Sequence, residues 1–455
     1  MYLRNFTTSH KILTALFFLL ILCSPTKAQN INRAKMDSLF ARLHTHNKAM
    51  VEVTVYKNGK VLYNNAIGYK KIEGENKTPA DVHTKYRIGS ITKMFTSAMI
   101  MQLVDEKKLT LDTKLSKFFP KIVNAQKITI GNLLSHHSGI HNFTSDDEYL
   151  TYYTTQKTQT ELLELFYKMP SDFEPGAKAQ YSNTGYVLLG YIIEKVTGKI
   201  YADELQSRIV KKIGLQETYF GGAIDTKKNE AQSFSFDGEN WKLEPETNMN
   251  IPHGAGALVS TTTDLGKFAT ALFQGKLCSD SLLQKISTMQ NNFGMGCFEM
   301  PFDERKSYGH TGGIDGFSSV LGYFKDDSVA VALACNGNNY SLNEIMISVL
   351  SITYYGDRYK VPTFISKKLD VQKLKAYEGV YAAPDFPLKI TILSDGKQLI
   401  AQATGQGPFP LSAESETLFK FDAAGIIMNF IIDDGGSINQ FNFSQGGAKF
   451  LFTKE

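Results

Sequence analysis

The chain has 455 residues, 42% of them hydrophobic and 21% charged, with a formal net charge of +4. This is the composition of an ordinary globular protein, long enough for two domains and without the low-complexity tracts of a disordered one. No basic run with interleaved aromatics is present, which excludes an obvious nucleic-acid surface.

Residues 1–28 read as a secretory signal: Arg4 and Lys11 precede an apolar run over 12–23, followed by Pro25 and the small Ala28. Cleavage before Gln29 would give a periplasmic or secreted protein. The run is short for a membrane span, and a lipid anchor at Cys23 is disfavoured by the bulky Leu22. Three of the 49 basic residues (Arg4, Lys11, Lys27) and none of the 45 acidic ones lie in this segment, so the mature chain is nearly neutral. It keeps Cys278, Cys297 and Cys335. One disulfide with a free thiol is possible, but at this chain length three buried small hydrophobes are expected.

In chain order, residues 31–47 form an amphipathic pattern with Met36, Leu39, Phe40 and Leu43 on one face. Two strand-like runs, 51–56 and 61–68, flank Asn58-Gly59, a hairpin signal. A short segment over 86–89 leads into a helix headed by Ser90, whose apolar positions Ile91, Met94, Phe95, Ala98 and Met101 have helical spacing. Residues 109–138 read as helix and loop, and helices are expected at 159–168, 185–197 and 201–212, so the middle of the chain reads as an all-helical insertion between sheet-forming ends. Helices follow at 258–273 and 281–289, strands at 293–298, 316–324 and 329–335, and a helix at 342–354. Residues 359–378 are a linker with a short helix near 369–377. From 379 to 455, short β-type runs with turns at Asp395-Gly396, Asp433-Asp434-Gly435-Gly436 and Gly446-Gly447 indicate a separate small sandwich or barrel.

Three constellations could carry chemistry. Ser90 and Lys93, three residues apart, share a helix face, and a serine hydroxyl needs a neighbouring base to act as a nucleophile. The same spacing occurs at Ser24/Lys27 and Ser394/Lys397, but the first follows the apolar leader and contains Pro25, and the second is a hairpin turn; only Ser90 heads a helix. Tyr181-Ser182-Asn183 falls on a loop before a helix starting near Gly185. There Tyr181 could relay the proton, and Asn183 offers a donor and an acceptor to a substrate amide. His310-Thr311-Gly312-Gly313 precedes the 316–324 strand; its glycines would let an edge strand approach the substrate, and the N–H groups of Ser90 and Gly313 could form an oxyanion hole. Taken singly, Ser90 reads as a helix cap, Lys93 as a solvated residue, Tyr181 as a packed aromatic and His310 as a turn histidine. Their joint occurrence reverses that reading. The adjacent His136 and His137 suit a loop or packing role better than metal binding. Asp146-Asp147-Glu148 lacks the spaced ligands of a calcium loop.

The set Ser90-x-x-Lys93, Tyr181-x-Asn183 and His310-Thr311-Gly312 resembles the serine penicillin-recognising family, in its class C β-lactamase and DD-peptidase branch. The stretches Leu133-Leu134-Ser135-His136-His137-Ser138-Gly139 and Gly254-Ala255-Gly256-Ala257-Leu258-Val259-Ser260 look like further landmarks of it. The resemblance implies an α+β, β-lactamase-like fold over residues 29–358: an antiparallel sheet flanked by helices, an all-helical lobe, and the active site between them. It implies Ser90 as the acylated nucleophile, Lys93 and Tyr181 as the base system, Asn183, His310, Thr311 and Gly312 as substrate-binding residues, and no cofactor. His310 stands where β-lactamases have lysine, as in the peptidases and esterases of the family. The expectation is therefore an exported serine hydrolase that cleaves an amide or ester, such as a D-amino-acid peptide of the cell wall. The alternatives are a class C-like β-lactamase and a non-catalytic penicillin- or peptide-binding sensor. No motif names a partner for the C-terminal β domain.

Overall fold

The computed structural model describes residues 31–364 and 366–455; the expected signal segment lies outside the described residues. Its central element is a six-stranded antiparallel sheet in the order Phe298–Phe302, Arg305–Ile314, Phe317–Phe324, Val329–Asn338, Ala49–Lys57, Lys60–Ile67. Strands from both ends of the catalytic region thus lie side by side, with Val53 opposite Leu333. The hairpin at Asn58-Gly59 forms as expected, with both residues at positive φ (50° and 76°), the conformation a two-residue turn of this hand demands.

The sheet is covered on both faces, and the period-2 alternation of its strands sorts the core. Val329, Val331, Leu333 and Cys335 point to one cluster, with Leu39 and Phe40 of the helix Arg33–Thr45 and Ile345 and Val349 of the helix Leu342–Tyr355. Ala330 and Ala332 point to the other cluster, which holds Leu265 and Phe268 of the helix Thr262–Phe273 and Phe95 of the helix Thr92–Asp105. Small residues on that side let helices come close: a Cβ on Gly266 would lie 2.7 Å from the ring of Tyr56, and Phe95 stacks on Phe268 with centroids 3.6 Å apart.

Residues 88–218 carry helices, turns and isolated bridges, without an extended strand. The expected helix over 159–168 is Gln159–Lys168, begun by a capping box between Thr158 and Glu161. The 258–273 segment differs from expectation. Leu258–Ser260 pairs as a strand with Tyr86–Arg87 and Tyr219–Phe220, and the helix starts only at Thr262, where Thr261 caps it by accepting the Asp264 N–H. Residues 293–297 lie outside any strand; the strand begins at Phe298 and pairs with a second one, Arg305–Ile314, that the sequence pattern does not signal. Its three glycines (309, 312, 313) weaken the intrinsic strand preference, and pairing along the whole of Phe317–Phe324 overrides it.

From Gly379 to Lys454 eight antiparallel strands form a closed barrel, in which the last strand returns to the first through Tyr381 opposite Lys454. Closure removes exposed strand edges. Its interior is filled by Tyr381, Phe419, Phe430, Phe441 and Phe452, all buried, so it is a packed core. The barrel is tied to the main body by a 2.6 Å ion pair between Lys48 and Asp422 and by a bond from the Ser341 N–H to the Asp422 carbonyl. Cys278, Cys297 and Cys335 are free and buried, and burial pushes the thiols of Cys297 and Cys335 up to about 12. No described helix is long and apolar enough to cross a membrane.

Candidate active site

The site is assembled where the strand Tyr86–Arg87 turns into the central helix. Gly89 makes this turn at φ +49°, and a Cβ there would lie 2.8 Å from the Gly313 backbone nitrogen, so both its conformation and its contact call for glycine. Ser90 lies in a 3-10 turn, Gly89–Ile91, ahead of the helix Thr92–Asp105, and not at the helix cap that its sequence position suggests; its hydroxyl bonds no helix N–H. It is held between two other side chains. Lys93 Nζ is 3.0 Å from Ser90 Oγ, and the Tyr181 hydroxyl donates to the same oxygen at 2.7 Å.

Lys93 is fully buried, which contradicts the reading of a solvated helix residue. Its nitrogen has two further partners, Asn183 Oδ1 and the Ala255 carbonyl, each at 2.7 Å. Both are acceptors only, so each takes a proton from Lys93. Burial holds the amine well below the usual lysine range, and a neutral amine has two protons to give. Once these are given to Asn183 and Ala255, the lone pair is left facing Ser90. Burial raises the Tyr181 phenol, which keeps it a proton donor. In the neutral form of Lys93, Ser90 donates to Lys93 and accepts from Tyr181; in the ammonium form Lys93 donates to Ser90.

Asn183 opens the helix Asn183–Thr197 behind the cap Ser182. Both ends of its amide are engaged within the protein, Oδ1 by Lys93 and Nδ2 by donation to Thr144 Oγ1 at 2.9 Å. Asn183 thus orients Lys93, and with one Nδ2 proton still unused it also faces the cavity beside Ser90.

His310 lies inside the strand Arg305–Ile314. It is 2% exposed, with Nδ1 against the Thr311 carbonyl and a buried Nε2 that has no hydrogen-bond partner among the described residues. Burial and the nearby Lys93 push it down to about 3, so it is neutral. Phe298 packs on its ring at 4.4 Å. Among the described residues that line the cavity beside Ser90 there is no Lys or Arg.

Stability should follow the His310 proton. Because the folded value lies below the ordinary 6.5, the neutral form is favoured by folding: its contribution is complete above pH 6.5 and is lost as pH falls toward 3. Lowering the pH from 6.5 to 5 should cost about 2 kcal/mol through this group. Urea titrations at the two pH values should show that loss, and His310→Gln should remove most of it; an unchanged pH dependence in the variant would refute the assignment.

Gly312 has a packing reason of its own: a Cβ there would lie 2.0 Å from the Ile88 carbonyl. Gly313 is open, with nothing near a Cβ. The strand Phe298–Phe302 pairs only as far as Gly309, so His310, Thr311, Gly312, Gly313 and Ile314 keep one unpaired edge, next to the Ser90 turn. The cavity beside Ser90 has about 370 Å³ and is lined also by Phe143, Tyr149, Tyr153, Asn183, Glu244, Thr247, Ala255, Gly313 and Asp315.

Several contributors carry no chemical signal in the sequence. The Ala255 carbonyl sits in the Gly-Ala-Gly-Ala stretch noted as a landmark, and the fold supplies the reason for its small residues: a Cβ on Gly254 would lie 2.7 Å from the Tyr186 carbonyl. His136, at φ +60°, stacks 4.5 Å from the Tyr181 ring and accepts the Ser182 N–H at 3.2 Å, in agreement with a packing role. Thr144, Arg87, Glu244 and Asp315 have no signal beyond being polar. Asp146 accepts from His141 Nε2 at 2.9 Å. No metal-holding group of His, Cys, Asp and Glu exists among the described residues.

A family model described as Beta-lactamase matches residues 36–346. A teichoic acid D-alanine hydrolase from Staphylococcus aureus is 27% identical over 328 residues, covering 70% of this chain and 78% of that protein. The D-amino acid amidase from Ochrobactrum anthropi SV3, complexed with L-phenylalanine amide, matches with a TM-score of 0.62 and 25% identity, over 72% of this chain and 99% of its own. A penicillin-binding protein homologue from Pyrococcus abyssi has a TM-score of 0.65 at 24% identity and covers 92% of this chain and 99% of its own, so that shared fold extends into the C-terminal region.

Proposed function

Because the chain belongs to the beta-lactamase family and is a serine hydrolase of that fold, we propose that it forms an acyl-enzyme on Ser90 and cleaves an amide or ester of a D-amino acid. The observation that carries this reading is the Ser90 hydroxyl held between a buried Lys93 at 3.0 Å and the Tyr181 phenol at 2.7 Å. The D-amino-acid part is supported by the named activities of two relatives, the teichoic acid D-alanine hydrolase and the D-amino acid amidase.

Acylation proceeds as Ser90 Oγ bonds to the substrate carbonyl carbon and its proton passes to the Lys93 lone pair. The negative charge on the carbonyl oxygen is met by the N–H groups of Ser90 and Gly313. When the intermediate collapses, the bond to the amine or alcohol breaks and that group takes the proton that Lys93 received from Ser90, while the Tyr181 hydroxyl, released from Ser90 Oγ, donates a hydrogen bond to the departing group. Water then attacks the acyl-enzyme with Lys93 again as base and releases the acid. The unpaired edge at residues 310–314 gives the substrate backbone hydrogen-bonding groups to run along.

The neutral His310 weighs against efficient β-lactam hydrolysis and against substrates defined by a free carboxylate, since no fixed cation waits for one. Export, read from residues 1–28, belongs to the same proposal and would bring the enzyme to D-alanyl groups of the cell wall. A panel of D-alanine amide, a D-alanyl ester, a D-Ala-D-Ala peptide and a cephalosporin tests it. The D-alanyl amide or ester should show the highest kcat/KM; a cephalosporin at the top of the ranking would overturn the reading.

A further inference from the structure

Two carboxylates line the Ser90 cavity, and they are in different states. Asp315, at the hairpin turn beyond Gly313, is fully engaged. Its Oδ2 meets Arg87 at 2.8 Å, and its Oδ1 accepts the Thr247 N–H at 3.0 Å and hydroxyl at 2.6 Å. Arg87, almost wholly buried, is committed in turn to Asp315, Glu246 and the carbonyls of Thr247 and Gly222.

Glu244 is placed beside this network and is not part of it. Its backbone N–H is fixed on the Ser233 carbonyl at 2.9 Å, and Gly316 packs so closely that a Cβ there would lie 3.0 Å from Glu244 Cγ. The side chain is half-buried, yet its carboxylate has neither a hydrogen bond nor an ion pair among the described residues. Along the same cavity lie Phe143, Tyr149 and Tyr153, with centroids 5.6 Å apart for Phe143 and Tyr149 and 5.7 Å for the two tyrosines. A carboxylate and aromatic rings lining one cavity are the chemistry that receives an alkylammonium, by a charged hydrogen bond and by cation–π attraction. Among the described residues no Lys or Arg lines the cavity, and Asp315 is paired with Arg87, so the unpaired Glu244 carboxylate makes the lining net negative and disfavours anionic substrates.

We infer that Glu244, with Tyr149 and Tyr153, forms a subsite for an ammonium group of the substrate, which selects D-aminoacyl amides and esters with a free amine over their N-acylated or carboxylate-bearing counterparts. This inference rests on the D-amino-acid reading above and adds what distinguishes one such substrate from another. Glu244 acts on selectivity and touches no bond that breaks.

The test is the ratio of kcat/KM for D-alanine p-nitroanilide to that for its N-acetyl derivative, at a pH where the free amine is protonated. The wild-type protein should prefer the free amine about tenfold or more, the size of one partly screened charge pair. Glu244→Gln, equal in shape, should lower the ratio about tenfold. Glu244→Lys should lower it further and raise the relative rate on the N-succinyl derivative. A ratio unchanged in Glu244→Gln, or equal losses on both substrates, would overturn the subsite. Turnover of p-nitrophenyl acetate by the wild-type protein, which involves no charged group, separates the two failures: its absence would strike at the hydrolase reading itself, its presence with an unchanged ratio at the ammonium subsite alone.

Discussion

Ser90→Ala is expected to lower kcat/KM for an aryl ester by on the order of 10⁴-fold or more, with the thermal midpoint close to that of the wild-type protein. The size follows from the role: without the oxygen that carries the acyl group, only binding and the oxyanion donors remain to assist water. The fold should be kept because Ser90 lies in a 3-10 turn whose shape is set by Gly89 and its contact with the Gly313 backbone, not by the serine hydroxyl. The variant loses the hydrogen bond from Tyr181 and the contact with Lys93, while Lys93 keeps its bonds to Asn183 Oδ1 and the Ala255 carbonyl. Activity undiminished in folded Ser90→Ala protein would reject the nucleophile.

Lys93→Met should lower kcat by about 10²–10⁴-fold, the range expected for losing a positioned general base. Methionine fills the buried site with an unbranched chain of similar reach, so the protein should still fold, although Asn183 Oδ1 and the Ala255 carbonyl each lose a donor. The pH profile carries the more specific signature. Lys93 must be neutral to accept the Ser90 proton, so the rate should rise with pH as the ammonium loses its proton and then level off. Because burial lowers this group, the rise should fall well below the pH at which an exposed lysine titrates. In Lys93→Met the rise should vanish from whatever activity remains. A rise that persists unchanged would assign the base to another group.

Much of the fold is legible in the amino-acid sequence, for reasons that differ by element. The hairpin at Asn58-Gly59 and the helix Gln159–Lys168 are local: turn chemistry and apolar spacing decide them within a dozen residues. The Ser90, Tyr181 and His310 motifs are legible only as a set, since each has an ordinary explanation alone and their meeting depends on pairing between the first and last strands of the sheet. The strand Arg305–Ile314 escapes a sequence reading because Gly309, Gly312 and Gly313 speak against a strand, while the reason for two of them, room for the Leu321 carbonyl at Gly309 and for the Ile88 carbonyl at Gly312, is tertiary. Barrel closure likewise joins Tyr381 to Lys454, far apart in the chain, and no local pattern separates a barrel from a sandwich.

The site shows the same division. Asn183 is expected from its motif to serve the substrate, and the fold adds a second use of its amide, on Lys93 and Thr144. The Ala255 carbonyl is invisible to side-chain chemistry because it is a backbone group. Glu244 is one acidic residue among 45, and only the fold, by bringing the Trp241–Leu243 strand and the residues after it to the cavity, distinguishes it from the rest.

The most direct measurement is the mass of the intact protein after reaction with a fluorophosphonate probe, followed by peptide mapping. A single adduct should appear on Ser90, be absent from Ser90→Ala and form far more slowly in Lys93→Met. Folded wild-type protein that gains no adduct, or gains it on another residue, would contradict the assignment of Ser90 as the nucleophile.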